Sequence, residues 1–211
     1  VPADSTEQRL IAAAERLFAE QGVDAVSMRG IMQAAETNVA AVHYHFGGKR
    51  GLLDAVLRSR AGQVSSERDS LLTKLTGAAP TQRELAHAYV RPVLAVRRSG
   101  GEHWIRLVGR LLTEGDDRLA VIAGPFAERN AAFLELLRKA SPGADTATLH
   151  FRLTQAMNLT LTVLGDLGRT RRLLDCEDVS WSGEAVVEQL IDLVTAVFAG
   201  PPETRDSTRH Q

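Results

Sequence analysis

A single cysteine, Cys176, among 211 residues excludes an intramolecular disulfide framework and any zinc site built from several thiolates. No run of about 18 apolar residues occurs, so no membrane span is expected. A marked excess of acid or base is also missing. Lys and Arg number 25 against 26 Asp and Glu, a formal net of -1. Global charge therefore gives no sign of nucleic-acid binding, and any such reading must rest on local placement. With 17 Gly and 7 Pro the chain is neither collagen-like nor mainly disordered. The stretch from Val1 to Glu7 is short and polar, unlike a secretory signal, and a cytoplasmic location is expected. Sustained period-2 alternation, internal repeats and low-complexity tracts are all absent.

What is present is ordinary globular composition, 44% hydrophobic and 24% charged, arranged with helical periodicity throughout. An all-α fold is predicted. Leu10, Ile11, Ala14, Leu17 and Phe18 form one face of a first helix over 5–21, stopped at Gly22. Ser27 caps a short second helix carrying Ile31, Met32 and Ala35, with Gly30 where a capping-box acid would stand. Asn38 caps a third, with Val39, Val42 and Phe46 inward, and Gly47-Gly48 separates it from a long helix running from Lys49 to about Leu75. Gly77 to Pro80 reads as a hinge. Beyond it, helices are predicted over 81–98, with Pro92 as the position for a kink, then 102–113, 116–139 with a bend or break at Gly124-Pro125, 145–174 and 183–199. These group into a three-helix unit over 1–50, a larger helical domain over 51–200 and a disordered tail over 201–211.

A long helix followed by two short ones joined by a tight turn is the spacing of a helix-turn-helix. A seven-residue helix is about 10 Å long and fits a major groove about 12 Å wide. The residues from Thr6 through Gly22, Ser27 through Ile31, Ala34-Ala35, and Asn38 through Gly47 with Lys49 resemble the DNA-binding domain of TetR-family regulators over about the first 55 positions. Two positions depart from that pattern: Glu36 stands where the family has Gly in the turn, and Gly30 replaces a common acid. Glu36 predicts an altered or strained turn and brings a negative charge beside the DNA-facing helix.

The resemblance implies that 38–45 is the recognition helix of a ligand-responsive regulator, most simply a repressor, acting as a homodimer on a palindromic double-stranded operator. Asn38, Val39, Ala40 and His43 would face bases, and Tyr44 and His45 would reach phosphates. Lys49 would hold a phosphate with the amides of its helix start, and Ser27 and Arg29 would clamp the opposite backbone. The electrostatic footprint is poor: through Asp54 the unit carries seven acids against five bases. His43 and His45 are unsuited to share a metal, because i and i+2 on a helix do not face each other. No metal and no cofactor are expected. The same residues would also serve as the ordinary surface and core of a helical hairpin.

Two recognition helices require a dimer. Leu149, Leu153, Met157, Thr160, Leu164 and Leu167 on one segment, and Ala185, Val186, Leu190, Ile191, Val194, Val197 and Phe198 on another, are the expected seam; packing within one chain is the alternative. The middle helices are expected to enclose an apolar cavity walled by Trp104, Leu107, Leu111, Phe126, Phe133, Met157 and Leu161, with Arg106, Asn158 or Thr162 fixing a polar head. Each could equally be core. The stretch from Arg97 through Leu112 and the apolar 149–164 helix resemble members answering to fatty acids or their CoA esters. The competing reading, an enzyme acting on a small molecule, has no support from a phosphate loop, a His-Glu-x-x-His or a Gly-x-Ser-x-Gly. A helical sensor without DNA binding remains open through Glu36.

Overall fold

The computed structural model describes residues 5–37, 44–75, 77, 79–175 and 180–201, with backbone alone for 123–129. Helices are the only regular structure among the described residues. Their order is α1 (Thr6–Gln21), α2 (Met28–Ala34), α3 (Lys49–Leu75), α4 (Gln82–Arg98), α5 (Glu102–Thr113), a 3-10 turn (Asp117–Leu119), α6 (Ala120–Ala140), α7 (Thr146–Gly165), α8 (Leu167–Leu174) and α9 (Gly183–Ala199). Residues 44–46 are also helical.

The ends follow from cap chemistry. Ser5 and Gln8 close a capping box on α1, Thr81 and Glu84 close another on α4, and Ser27, Asp145 and Ser182 each accept from an amide of the turn they start. Two expectations are corrected. The 145–174 segment is two helices, because Asp166 leaves helical geometry (φ -144°, ψ 67°) and caps the second by accepting from the Arg169 amide at 2.9 Å. The 116–139 segment begins with the 3-10 turn, and α6 then runs unbroken through Gly124-Pro125.

The buried residues form a connected apolar cluster that extends from α1 and α2 through to α9. Leu10, Ala14 and Phe18 of α1 and Ile31 of α2 are fully buried with Leu52, Leu53 and Val56 of α3. The first turns of α3 are thus part of the core of the N-terminal unit, and the rest of the helix is packed on α4 and α6. At 27 residues α3 is about 40 Å long, so the turn at Gly77 lies at the far end from Lys49. A hinge there is badly placed to act on the first three helices directly. Helix α9 packs on α4 and α7, and α5 on α1 and α7.

The expected dimer seam is largely corrected by this packing. Leu149, Leu153, Leu164, Val186, Leu190, Ile191, Val194 and Phe198 are buried inside the chain itself. Left at the surface of the same two helices are Phe151, 65% exposed, and Leu193, 54% exposed.

Candidate functional site

The N-terminal unit is pinned to the helical body by two arginines. Arg60 of α3 donates from Nε to the buried Glu15 of α1 at 3.2 Å and from Nη1 to the Ser99 carbonyl at 3.4 Å, joining α1, α3 and the end of α4. Arg118 of the 3-10 turn reaches Asp24, in the loop between α1 and α2, at 2.9 and 3.3 Å while also holding Asp116. The hydrogen bonds and charge of Arg118 keep both carboxyls below the usual carboxylate range, and its hydrogen bonds to Asp116 and Asp24 raise the proton affinity of the guanidinium in turn. The carbonyl of Asp24 in turn accepts from Lys49 Nζ at 3.3 Å. That contact ties the start of α3 to the loop that leads into α2, where Ser27 and Arg29 are exposed.

Of the residues implied as DNA contacts, Asn38, Val39, Ala40 and His43 lie outside the described residues. Tyr44 is 86% exposed, its ring edge-on to the exposed His45 at 5.1 Å between centroids. An aromatic so open contributes nothing to the core and is free to touch an external partner. Ser27 Oγ accepts from the Gly30 amide at 3.1 Å, so its hydroxyl both caps α2 and faces solvent. No acid occupies the first turn of α3, leaving its amide dipoles uncompensated behind Lys49.

Glu36 is the one non-glycine residue at positive φ (52°) among the described residues. Its amide bonds to the Gln33 carbonyl at 3.3 Å and the Thr37 amide to Met32 at 3.0 Å, the pair of bonds of a Schellman ending. The same pair closes α4 at Gly100 and α5 at Gly115, both with glycine at the left-handed position. Glu36 holds a glycine's conformation, with a carboxylate exposed one turn before the segment 38–46. Gly51 is demanding for a different reason. A Cβ there would lie 1.9 Å from the Phe46 carbonyl oxygen, so only glycine lets 44–46 abut α3.

A cavity of about 280 Å³ opens between α3, α4, α5, α6 and α7. Trp104, Met157 and Leu161 line it as expected from the sequence, and the Trp104 indole is anchored by donating to the Leu57 carbonyl at 3.0 Å. Leu107, Leu111 and Phe133 are buried in the core but do not line it; the Phe133 ring is 5.2 Å from Tyr89. The side chain of Phe126 lies outside the described residues. The expected head-group anchors lie elsewhere. Arg106 pairs with Asp166 at 3.6 Å and, with Thr162, lines a separate outer groove, while Asn158 is half-buried away from the cavity. The polar groups that do face the cavity are Arg68, Tyr89, Asn130 and Thr160. Sequence reasoning missed Arg68 because Ser65 through Ser70 reads as a solvated stretch. Its signal was there: Arg68 falls four residues after Val64 and four before Leu72, on the buried stripe of α3.

Comparison with known proteins accounts for both halves. Residues 10–56 match the family model described as bacterial regulatory proteins, tetR family, and residues 87–197 match the tetracyclin repressor-like C-terminal domain. The chain belongs to the TetR family. Among curated relatives it is similar to the HTH-type transcriptional regulator BetI of Rhizobium meliloti (strain 1021), 38% identical over 82 residues covering 39% of this chain and 38% of BetI. It is also similar to the regulator SrpR of Pseudomonas putida, 43% identical over 58 residues, 28% of this chain and 27% of SrpR. These matches therefore span well under half of either relative. The fold is shared more widely. AmtR of Mycobacterium smegmatis superposes with a TM-score of 0.65 at 17% identity over 96% of this chain and 90% of AmtR. A TetR-like regulator from Rhodococcus sp. RHA1 gives 0.64 at 16% identity over 95% and 100%.

Proposed function

We propose that the protein is a ligand-responsive transcriptional repressor that binds a two-fold symmetric operator as a homodimer and leaves it when a small apolar or amphipathic effector fills the cavity. In this reading residues 1–50 read the duplex and 51–200 hold effector and partner, in the cytoplasm. The observation that carries it is the pairing of an open Tyr44 and a Lys49-headed helix start with an internal cavity in the body behind them. Ser27, Arg29, Asn38, Val39, Ala40, His43, Tyr44, His45 and Lys49 remain the proposed DNA contacts. Fatty acids fit the cavity's scale and lining. In a CoA ester the acyl part alone would fit, since about 280 Å³ has no room for the nucleotide.

Transmission is supported by Arg118. It adjoins Leu119, which lines the cavity, and Ile122 lines the same wall one turn on. An effector that displaces this wall shifts Arg118, and with it Asp24 and Lys49. Only an effector with different affinity for the two arrangements can work in this way.

Fluorescence anisotropy of a labelled duplex taken from the DNA flanking the coding region tests the reading. Wild-type protein is expected to bind with affinity falling steeply as salt rises. Tyr44→Ala should weaken binding at least about tenfold with an unchanged unfolding midpoint. Binding equal to wild type would remove 44–49 from the interface.

A further inference from the structure

Arg68 is 4% exposed, yet among the described residues no carboxylate lies within salt-bridge distance of it. Its Nε is buried with no hydrogen-bond partner. Its hydrogen bond and ring contact are both weak and both to Tyr89, Nη2 donating to the carbonyl at 3.5 Å and Cζ lying 4.5 Å above the ring, while the neighbouring Asp69 attracts it through space, beyond salt-bridge distance. Burial lowers the proton affinity of the group, but a guanidinium keeps its charge in any protein setting. A buried cation that no carboxylate among the described residues pairs is unfavourable to folding. Across the same cavity Asn130 buries its Oδ1, also without a partner. Apart from Thr160, whose hydroxyl donates to the Ala156 carbonyl at 2.7 Å, the rest of the described lining is apolar, from Val64, Val93 and Trp104 to Leu161.

We propose that the effector is a small carboxylate on an apolar body, with the Arg68 guanidinium as its counter-ion inside the cavity and a donor group meeting Asn130. The proposal rests on the reading of this cavity as the effector site and adds to it the charge and the anchor. A carboxylate meets the unused Nε edge of the fork with parallel N–H···O bonds, which a neutral amide or an ammonium group cannot do. The Tyr89 ring beneath the guanidinium holds the fork in place. The apolar body then fills the space between Trp104, Met157 and Leu161, where the described residues offer no further charge.

Calorimetric titration with decanoate, decanamide and decylamine, equal in chain length and differing in charge, tests this on the full chain. Wild type is expected to bind decanoate at least about tenfold more tightly than decanamide, with decylamine weakest. In Arg68→Met the decanoate advantage should vanish while decanamide binds within a few-fold of its wild-type affinity. Decanamide or decylamine matching decanoate on wild type, or an undiminished preference for decanoate in Arg68→Met, would overturn the anion assignment and leave the cavity reading intact. Binding of none of the three would overturn the cavity reading with it. A second measurement is independent of any ligand: thermal unfolding of unliganded Arg68→Met should match or exceed wild type, because an uncompensated buried charge has been removed. A midpoint several degrees lower would make Arg68 a structural residue and refute the proposal.

Discussion

Glu36 shows how one side chain can sit against its own backbone. A residue with a Cβ at left-handed φ costs on the order of 1 kcal/mol relative to glycine, and Glu36 meets that cost at φ 52° in a turn whose two counterparts carry glycine. Glu36→Gly is therefore expected to stabilise the protein by about 1 kcal/mol in urea unfolding. The same change should raise DNA affinity by removing a carboxylate next to the segment 38–46; a destabilised variant would show that the side chain makes compensating contacts. Gly51 works in the opposite sense. Gly51→Ala drives a methyl into the Phe46 carbonyl and should lower stability by more than about 1 kcal/mol, read by the same titration. A neutral outcome would mean that 44–46 can move off α3 freely. Both positions bear on what was legible. Glu36 was readable as a conflict because a turn glycine was missing, whereas Gly51 was not, since its demand arises from a contact five residues back.

Among the elements, helix limits were the most readable feature, because Ser5, Ser27, Thr81 and Ser182 carry the cap chemistry in the sequence itself. The split at Asp166 was hidden inside an apolar run, where the same Asp that ends α7 caps α8. The link between elements was invisible, since Asp24 and Arg118 meet only through folding. Their ion pair leads to two expectations. Asp24→Asn should leave operator binding near wild type but blunt its loss on adding effector, measured by anisotropy with and without decanoate. A full effector response would remove Arg118 from the path. The second concerns acid. Arg118 depresses both carboxyls in the folded state, so their contribution to stability is complete above the unfolded carboxylate range, near about pH 4, and is lost as pH falls through that range and below. Asp24→Asn should accordingly lose less stability than wild type between about pH 5 and pH 3.

For the whole molecule, the all-helical layout, the family likeness and a cavity walled by Trp104, Met157 and Leu161 were open to a sequence reader, while the cavity's polar anchor and the seam were not. Periodicity says that Leu149, Leu190 or Phe198 is buried but not by which neighbour, and here the neighbour is mostly the same chain. Phe151 and Leu193, exposed on α7 and α9, are what a second copy would cover. Exchanging both for Glu should shift the particle toward monomer in sedimentation analysis and weaken operator binding together; an unchanged dimer would place the seam elsewhere. The cavity anchor was hidden for a related reason, since Arg68 is made internal by α4, α5 and α6 converging on one turn of α3.

The most direct measurement is hydroxyl-radical footprinting of the DNA flanking the coding region across a protein titration. Two protected half-sites are expected, with centres about one helical turn, 34–36 Å, or a multiple of it apart, and their protection should disappear with Tyr44→Ala. Featureless protection, equal on an unrelated duplex and indifferent to Tyr44, would contradict the account.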